Sequence, residues 1–339
     1  MAIRPATHSG SWYSNRTQEL SQQLHTYLIK STVKGPIHNA RIIICPHAGY
    51  RYCGPTMAYS YASLDLNRNV KRIFILGPSH HIYFKNQILI SAFSELETPL
   101  GNLKVDTDLC KTLVNKEYPE NGKKLFRLMD HDTDMAEHSL EMQLPMLVET
   151  LKWREVSLDT VKVIPMMVSH NSVNVDRCIG DVLSEYIKDP NNLFIVSSDF
   201  CHWGRRFQYT GYVGSKEELH EAIQEETEVE MLTARSKLSH HQVPIWQSIE
   251  IMDRYAMKTL SNTPNAERYD AWKQYLEITG NTICGEKPIS VILSALSKIR
   301  GVSASGIKFQ WPNYSQSSHV TSIDDSSVSY TSGYVTIEW

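Results

Sequence analysis

An α/β fold with a central, largely parallel or mixed sheet flanked by helices is the architecture this sequence predicts. Short runs rich in Ile and Val recur along the chain, and stretches with helical periodicity separate them. Three of those runs, Ala40–Cys45, Arg72–Leu76 and Leu193–Val196, are nearly continuous in apolar residues, as expected of central strands covered on both faces.

Taken in chain order, a helix over Gln18–Ile29 precedes the strand Ala40–Cys45. A helix over Pro55–Ser63 opens on a proline, whose fixed φ and missing N–H suit a first turn. Strands at Arg72–Leu76 and Gln87–Ile90 follow, then a helix at Glu137–Val148, a strand at Lys162–Val168, a helix at Val175–Ile187 and the strand Leu193–Val196. Further helices are expected at Lys216–Leu232, Ile245–Thr259, Tyr269–Ile278 and Pro288–Ile299. The segment at about 216–277 is the most polar of the chain, carries the acidic run Glu225–Glu230 and has no strand pattern, so it reads as a helical excursion within a single α/β domain spanning 1–339. Strand patterns at Gly306–Gln310 and Tyr334–Trp339 bracket a Ser-rich stretch and predict an ordered return to the sheet.

Composition narrows the function. Of 339 residues 41% are apolar, and 34 Lys and Arg stand against 37 Asp and Glu, for a formal net charge of -3 without a long block of one sign. That balance argues against a dedicated nucleic-acid or anionic-membrane surface. The start lacks a basic flank followed by an apolar run, and no uncharged apolar stretch reaches the roughly 18 residues of a membrane span, so a soluble intracellular protein is expected. The six cysteines show no C-x-x-C spacing, which points away from a disulfide framework or a zinc ribbon.

Three strands run into polar turns bearing histidine: Pro46-His47-Ala48-Gly49-Tyr50, Gly77-Pro78-Ser79-His80-His81 and Ser197-Ser198-Asp199-Phe200-Cys201-His202-Trp203-Gly204. In a parallel sheet these turns share the carboxyl edge, where open α/β folds bind ligands. Converging imidazoles suit iron, copper, nickel or zinc. An anionic or softer partner could be Asp199, Glu137 or Cys284, the last lying just before a helix start whose dipole favours thiolate. The spacing from Asp199 to His202 would let the carboxylate orient the ring. Arg51, Arg205 and Arg206 adjoin two of these turns and would suit anion capture.

These motifs, together with Ser9-Gly10-Ser11-Trp12-Tyr13, Tyr52-Cys53-Gly54, Glu137-His138-Ser139-Leu140-Glu141-Met142, Asn281-Thr282-Ile283-Cys284-Gly285 and Asp325-Ser326-Ser327-Val328-Ser329-Tyr330, run in order along the chain and resemble the Memo family, named for mediator of ErbB2-driven cell motility. The resemblance implies the fold of LigB-type class III extradiol non-heme iron dioxygenases. It also implies a metal-binding protein holding iron(II) or copper(I), of the cytoplasm and nucleus, linked to redox signalling and to control of cell motility or invasive growth. By motif, the metal ligands it implies are His47, His80 and Cys284; Asp199 and His202 stand behind or beside them, with His81, as groups acting in catalysis, and Trp12 and Tyr52 line the substrate pocket. A thiolate in place of the dioxygenase carboxylate argues against ring cleavage, leaving a different metal-dependent redox activity on an unnamed small substrate. The other reading is a signalling adaptor that takes a peptide, phosphorylated or not, in the same cleft and binds signalling proteins. Neither reading involves nucleic acid or a membrane span. The polar stretch between Gly204 and Asn281 is longer than the family pattern implies.

Overall fold

The computed structural model describes residues 2–67, 69–303 and 305–339. From the amino end, β1 (Ile3–Arg4) and α1 (Thr17–Lys30) lead to β2 (Ala40–Cys45), α2 (Tyr50–Ser63) and β3 (Arg72–Pro78). Four short strands, β4 (Ile88–Ile90), β5 (Glu95–Leu96), β6 (Leu103–Val105) and β7 (Phe126–Leu128), are interleaved with α3 (Thr107–Val114) and followed by α4 (His131–Ala136), α5 (His138–Glu141) and α6 (Leu144–Trp153). Next come β8 (Lys162–Val168), α7 (Val173–Lys188), β9 (Asn192–Ser197), β10 (His202–Trp203) and β11 (Gly211–Tyr212). The chain ends through α8 (Lys216–Glu225), β12 (Glu230–Met231), α9 (Ile245–Asn262), α10 (Arg268–Thr279), α11 (Glu286–Ser297) and the hairpin β13 (Ile307–Gln316) and β14 (Ser327–Ile337).

The main sheet is mixed, as the sequence predicts. β8, β3, β9 and β2 lie side by side and parallel, and β14 adds antiparallel to β2. Every residue of β2 and β9 is buried, because helices cover both faces of these strands. α1 contributes Leu20, Leu24 and Leu28 from one stripe at i, i+4, i+8. The histidine-bearing turns after β2, β3 and β9 therefore leave the sheet at one edge from strands that are immediate neighbours.

Several boundaries differ from expectation for identifiable reasons. α2 begins at Tyr50, not at Pro55, which sits inside the helix. Pro55 has no N–H to offer the Arg51 carbonyl, and Arg51 is an exposed residue of the first turn. The single helix expected over Glu137–Val148 is two, α5 and α6, because Pro145 has no N–H to offer the Glu141 carbonyl and instead occupies the first turn of a new helix. The helix expected over Lys216–Leu232 stops at Glu225, where Glu226 turns left-handed at φ 54. The acidic run beyond it offers only Val229 to the apolar cluster, and Glu230–Met231 pairs with β11, so the excursion does contain a strand. An apolar cluster of its own, including Trp203, Tyr212, Leu219, Ile249 and Met252, lies beneath this region. The last strand is longer than its apolar end suggests: β14 starts at Ser327 inside the polar stretch. Among the described residues no helix is long and apolar enough to cross a membrane.

Candidate metal centre

Parallel pairing of β2 with β9 carries on past the strand ends. Ser198 N–H donates to the Cys45 carbonyl at 2.8 Å, and His47 N–H donates to Asp199 Oδ1 at 2.8 Å, which brings the two turns level. The loop Asn281–Gly285 closes over them: Gly285 N–H donates to Ser198 Oγ at 3.0 Å, and a Cβ at Gly285 would lie 2.2 Å from the Ser198 Cβ. Only glycine allows that approach, and it sets Cys284 Sγ 3.2 Å from His47 Nε2.

The surrounding hydrogen bonds fix the histidine tautomers. Ser197 Oγ donates to the Ser139 carbonyl at 2.7 Å and accepts from Gln143 Nε2 at 2.8 Å. Its one proton is thereby used, so at 2.8 Å it accepts from His47 Nδ1, and Nε2 keeps a lone pair facing Cys284. The Glu137 carboxylate takes both the main-chain N–H of His80, at 2.7 Å, and its Nδ1, at 2.8 Å. His80 likewise presents Nε2 outward. Burial alone would raise the Glu137 pKa, but the His80 hydrogen bonds and charge outweigh it and hold this carboxyl down at about 2. Glu137, an alternative anionic ligand by sequence, is thus the carboxylate behind a histidine instead.

Sequence reasoning named His138 only as part of a motif. It stands at the start of α5 with its ring stacked on His80, centroids 4.3 Å apart, and 4.4 Å from the ring of Trp12. Burial and the neighbouring His47 and His80 push its pKa down to about 3, so the ring is neutral. Its signal in the sequence was the Glu137-His138 pair opening a helix, which local pattern alone could not aim at the sheet edge.

Two groups of ligand atoms meet here, each with all members within 4.8 Å of one another: His47 with His80 and His138, and His47 with Asp199 and Cys284. His47 is common to both. The set implied by the resemblance, His47, His80 and Cys284, takes one residue from each group besides the shared one. Burial raises the Asp199 pKa, opposed by His202 and by the His47 N–H bond. Burial and the Asp199 carboxylate push the Cys284 thiol well up, against the sequence expectation of a helix start favouring thiolate. A bound cation reverses that balance and drives a ligating thiol to its deprotonated form.

His202 is oriented by carbonyls and not by Asp199, as the spacing had suggested: its Nδ1 lies 2.9 Å from the Phe200 oxygen and 3.1 Å from that of Thr282. With His80 and Cys284 it lines a cavity of about 350 Å³. His81 is exposed, its ring 6.3 Å from that of His138. Trp12 lies over His138, whereas Tyr52 is 56% exposed on the first turn of α2 beneath the Arg51 guanidinium. Arg205 is paired with Asp324 at 3.0 Å and Arg206 lies over Phe207.

The profile of the Memo-like protein family matches residues 4–334 of this chain. The chain belongs to that family. MEMO1 family protein MHO1 of Saccharomyces cerevisiae is 93% identical over 337 residues, covering 99% of this chain and all of that protein. Human protein MEMO1 is 36% identical over 338 residues, covering 99% of this chain and 98% of its own length. A crystal structure of an uncharacterized protein from Escherichia coli K12 aligns with 85% of this chain and 98% of its own, at 12% identity and a TM-score of 0.42. Within this Memo-like chain, the donor set of imidazole nitrogens, a thiol and a carboxylate fits a borderline or soft first-row ion better than magnesium or calcium.

Proposed function

We propose that this Memo-like chain, a single α/β domain, is a metal-dependent redox protein that holds iron(II) or copper(I) through His47, His80 and Cys284. The observation that carries the reading is the 3.2 Å approach of Cys284 Sγ to the lone pair of His47 Nε2, with His80 oriented by Glu137 in the same way. A low-valent ion there supplies one-electron chemistry with dioxygen or superoxide. The protein's own groups do the rest. Asp199 and His202 hold or pass protons beside the ligands, and His81 does so from the rim. Trp12 and Tyr52 border the way in. Thiolate ligation in place of a carboxylate speaks against aromatic ring cleavage. In this reading the activity serves redox signalling and control of cell motility or invasive growth, in the cytoplasm and nucleus.

An adaptor taking a phosphopeptide in the cleft draws less support, since Arg205 is engaged with Asp324 and Arg206 with Phe207. Metal quantitation after anaerobic reconstitution decides. His47→Ala, His80→Ala and Cys284→Ala each lose most of the iron or copper while staying folded, because one ligand of three carries much of the binding free energy. Full occupancy in all three variants would overturn the proposal.

A further inference from the structure

The cavity beside the metal centre is lined by more than the candidate ligands. Besides His80, His202 and Cys284, its lining includes Ser169, His170 and Lys287. Further lysines lie near these added residues. The Lys85 ammonium lies over the Tyr83 ring, and that ring meets His170 at 4.6 Å. Burial, then Lys287, Lys85 and Lys273 together, lowers the His170 pKa; burial and then Lys287 lowers that of Lys273. Two carboxylates face this group. Glu286 pairs with Lys287 at 2.7 Å, and Asp176 already accepts from Tyr269 at 2.7 Å and from Asn171 at 3.0 Å. Val168, Phe207 and Ile283 supply an apolar wall to the same cavity. A volume of about 350 Å³ falls in the range of small-molecule sites.

Resting on the metal-centre reading, we propose that Lys287 and His170 anchor the carboxylate of a small organic acid, whose apolar body lies along Phe207 and Ile283 toward His80 and Cys284. A charged donor facing a carboxylate gives both attraction and direction. The walls provide what a bare surface lysine does not, an apolar flank for the rest of the molecule. Glu286 competes with the ligand for Lys287 and keeps the affinity moderate.

The test is calorimetric titration of the whole chain, metal-free and loaded anaerobically with iron(II), using benzoate as the carboxylate probe and inorganic phosphate as the bare oxyanion. Saturable benzoate binding is expected, tighter than phosphate. Lys287→Gln lowers benzoate affinity about tenfold, in line with loss of a hydrogen bond to a charged group. Glu286→Gln raises it by freeing Lys287, an effect of opposite sign that a merely structural role of this helix start would not produce. An unchanged affinity in Lys287→Gln, or phosphate binding with benzoate excluded, would overturn the anchor. Metal content measured on the same samples keeps the two readings apart: a wild type that takes up no iron counts against the metal centre, whereas intact metal content with unaltered benzoate binding in Lys287→Gln counts against the anchor alone.

Discussion

His47 Nδ1 donates to the Ser197 hydroxyl at 2.8 Å, and it can do nothing else there, because the serine proton is already spent on the Ser139 carbonyl. One buried hydroxyl on β9 therefore determines which nitrogen of a histidine on the neighbouring turn is free for a metal. Gln143 reinforces it by donating to the same oxygen.

Ser197→Ala removes the group that fixes the His47 tautomer while leaving every candidate ligand in place. Metal affinity falls about 10 to 100-fold, the usual size of effects from groups that orient a ligand. Competition against a calibrated chelator under anaerobic conditions measures it, and an affinity equal to wild type would dissociate Ser197 from the site.

Asp199→Asn separates a neighbour from a ligand. Asp199 shares a 4.8 Å group with His47 and Cys284, yet its Oδ1 already accepts the His47 N–H. With His47, His80 and Cys284 as ligands, the amide variant keeps binding metal, weakened about 10 to 100-fold. Loss as complete as in His47→Ala would make Asp199 a ligand.

Cys284 reacts slowly with iodoacetamide in chelator-treated protein near neutral pH, since burial and the Asp199 charge hold its thiol protonated. Asp199→Asn speeds the reaction by removing the charge. Mass spectrometry of alkylated peptides follows both, and equal rates in wild type and variant would show that Asp199 does not govern the thiol.

Part of the acid lability traces to Glu141. This buried carboxylate accepts from Arg4 at 2.6 Å, from the His8 main chain and from Tyr13 at 2.8 Å each, tying the amino-terminal segment to α5. Burial would raise its pKa, but the His8 and Arg4 interactions outweigh that and hold it at about 2, below the model-compound value of 4.5. A carboxyl depressed on folding contributes stability that is fully present above the unfolded pKa of 4.5 and is lost as pH falls toward about 2. The difference amounts to about 3 kcal/mol. Denaturant titrations of wild type between pH 6 and roughly 2.5 record the loss. Glu141→Gln is less stable at neutral pH, and its stability falls less over that window; a parallel decline in both proteins would locate the acid effect elsewhere.

Much of the site was legible because its parts are local in sequence. An apolar run that ends in Pro46-His47, or in Pro78-Ser79-His80, states both a buried strand and the polar residue at its end, and parallel order then brings those residues to one edge. The motifs around them were irregular enough to suggest the family that the whole chain matches. By itself the sequence thus determined the fold class, the central strands and most of the groups that converge. Tertiary structure alone decided the rest. His138 meets His80 only through the packing of α5 against the turn after β3, and Glu137 serves His80 across 57 positions of chain. The tautomer of His47 depends on Ser197, Ser139 and Gln143, which come from β9, α5 and the residue before α6. Hydrogen bonds of that range leave no periodicity or spacing to read, because their geometry exists only once separate elements have packed.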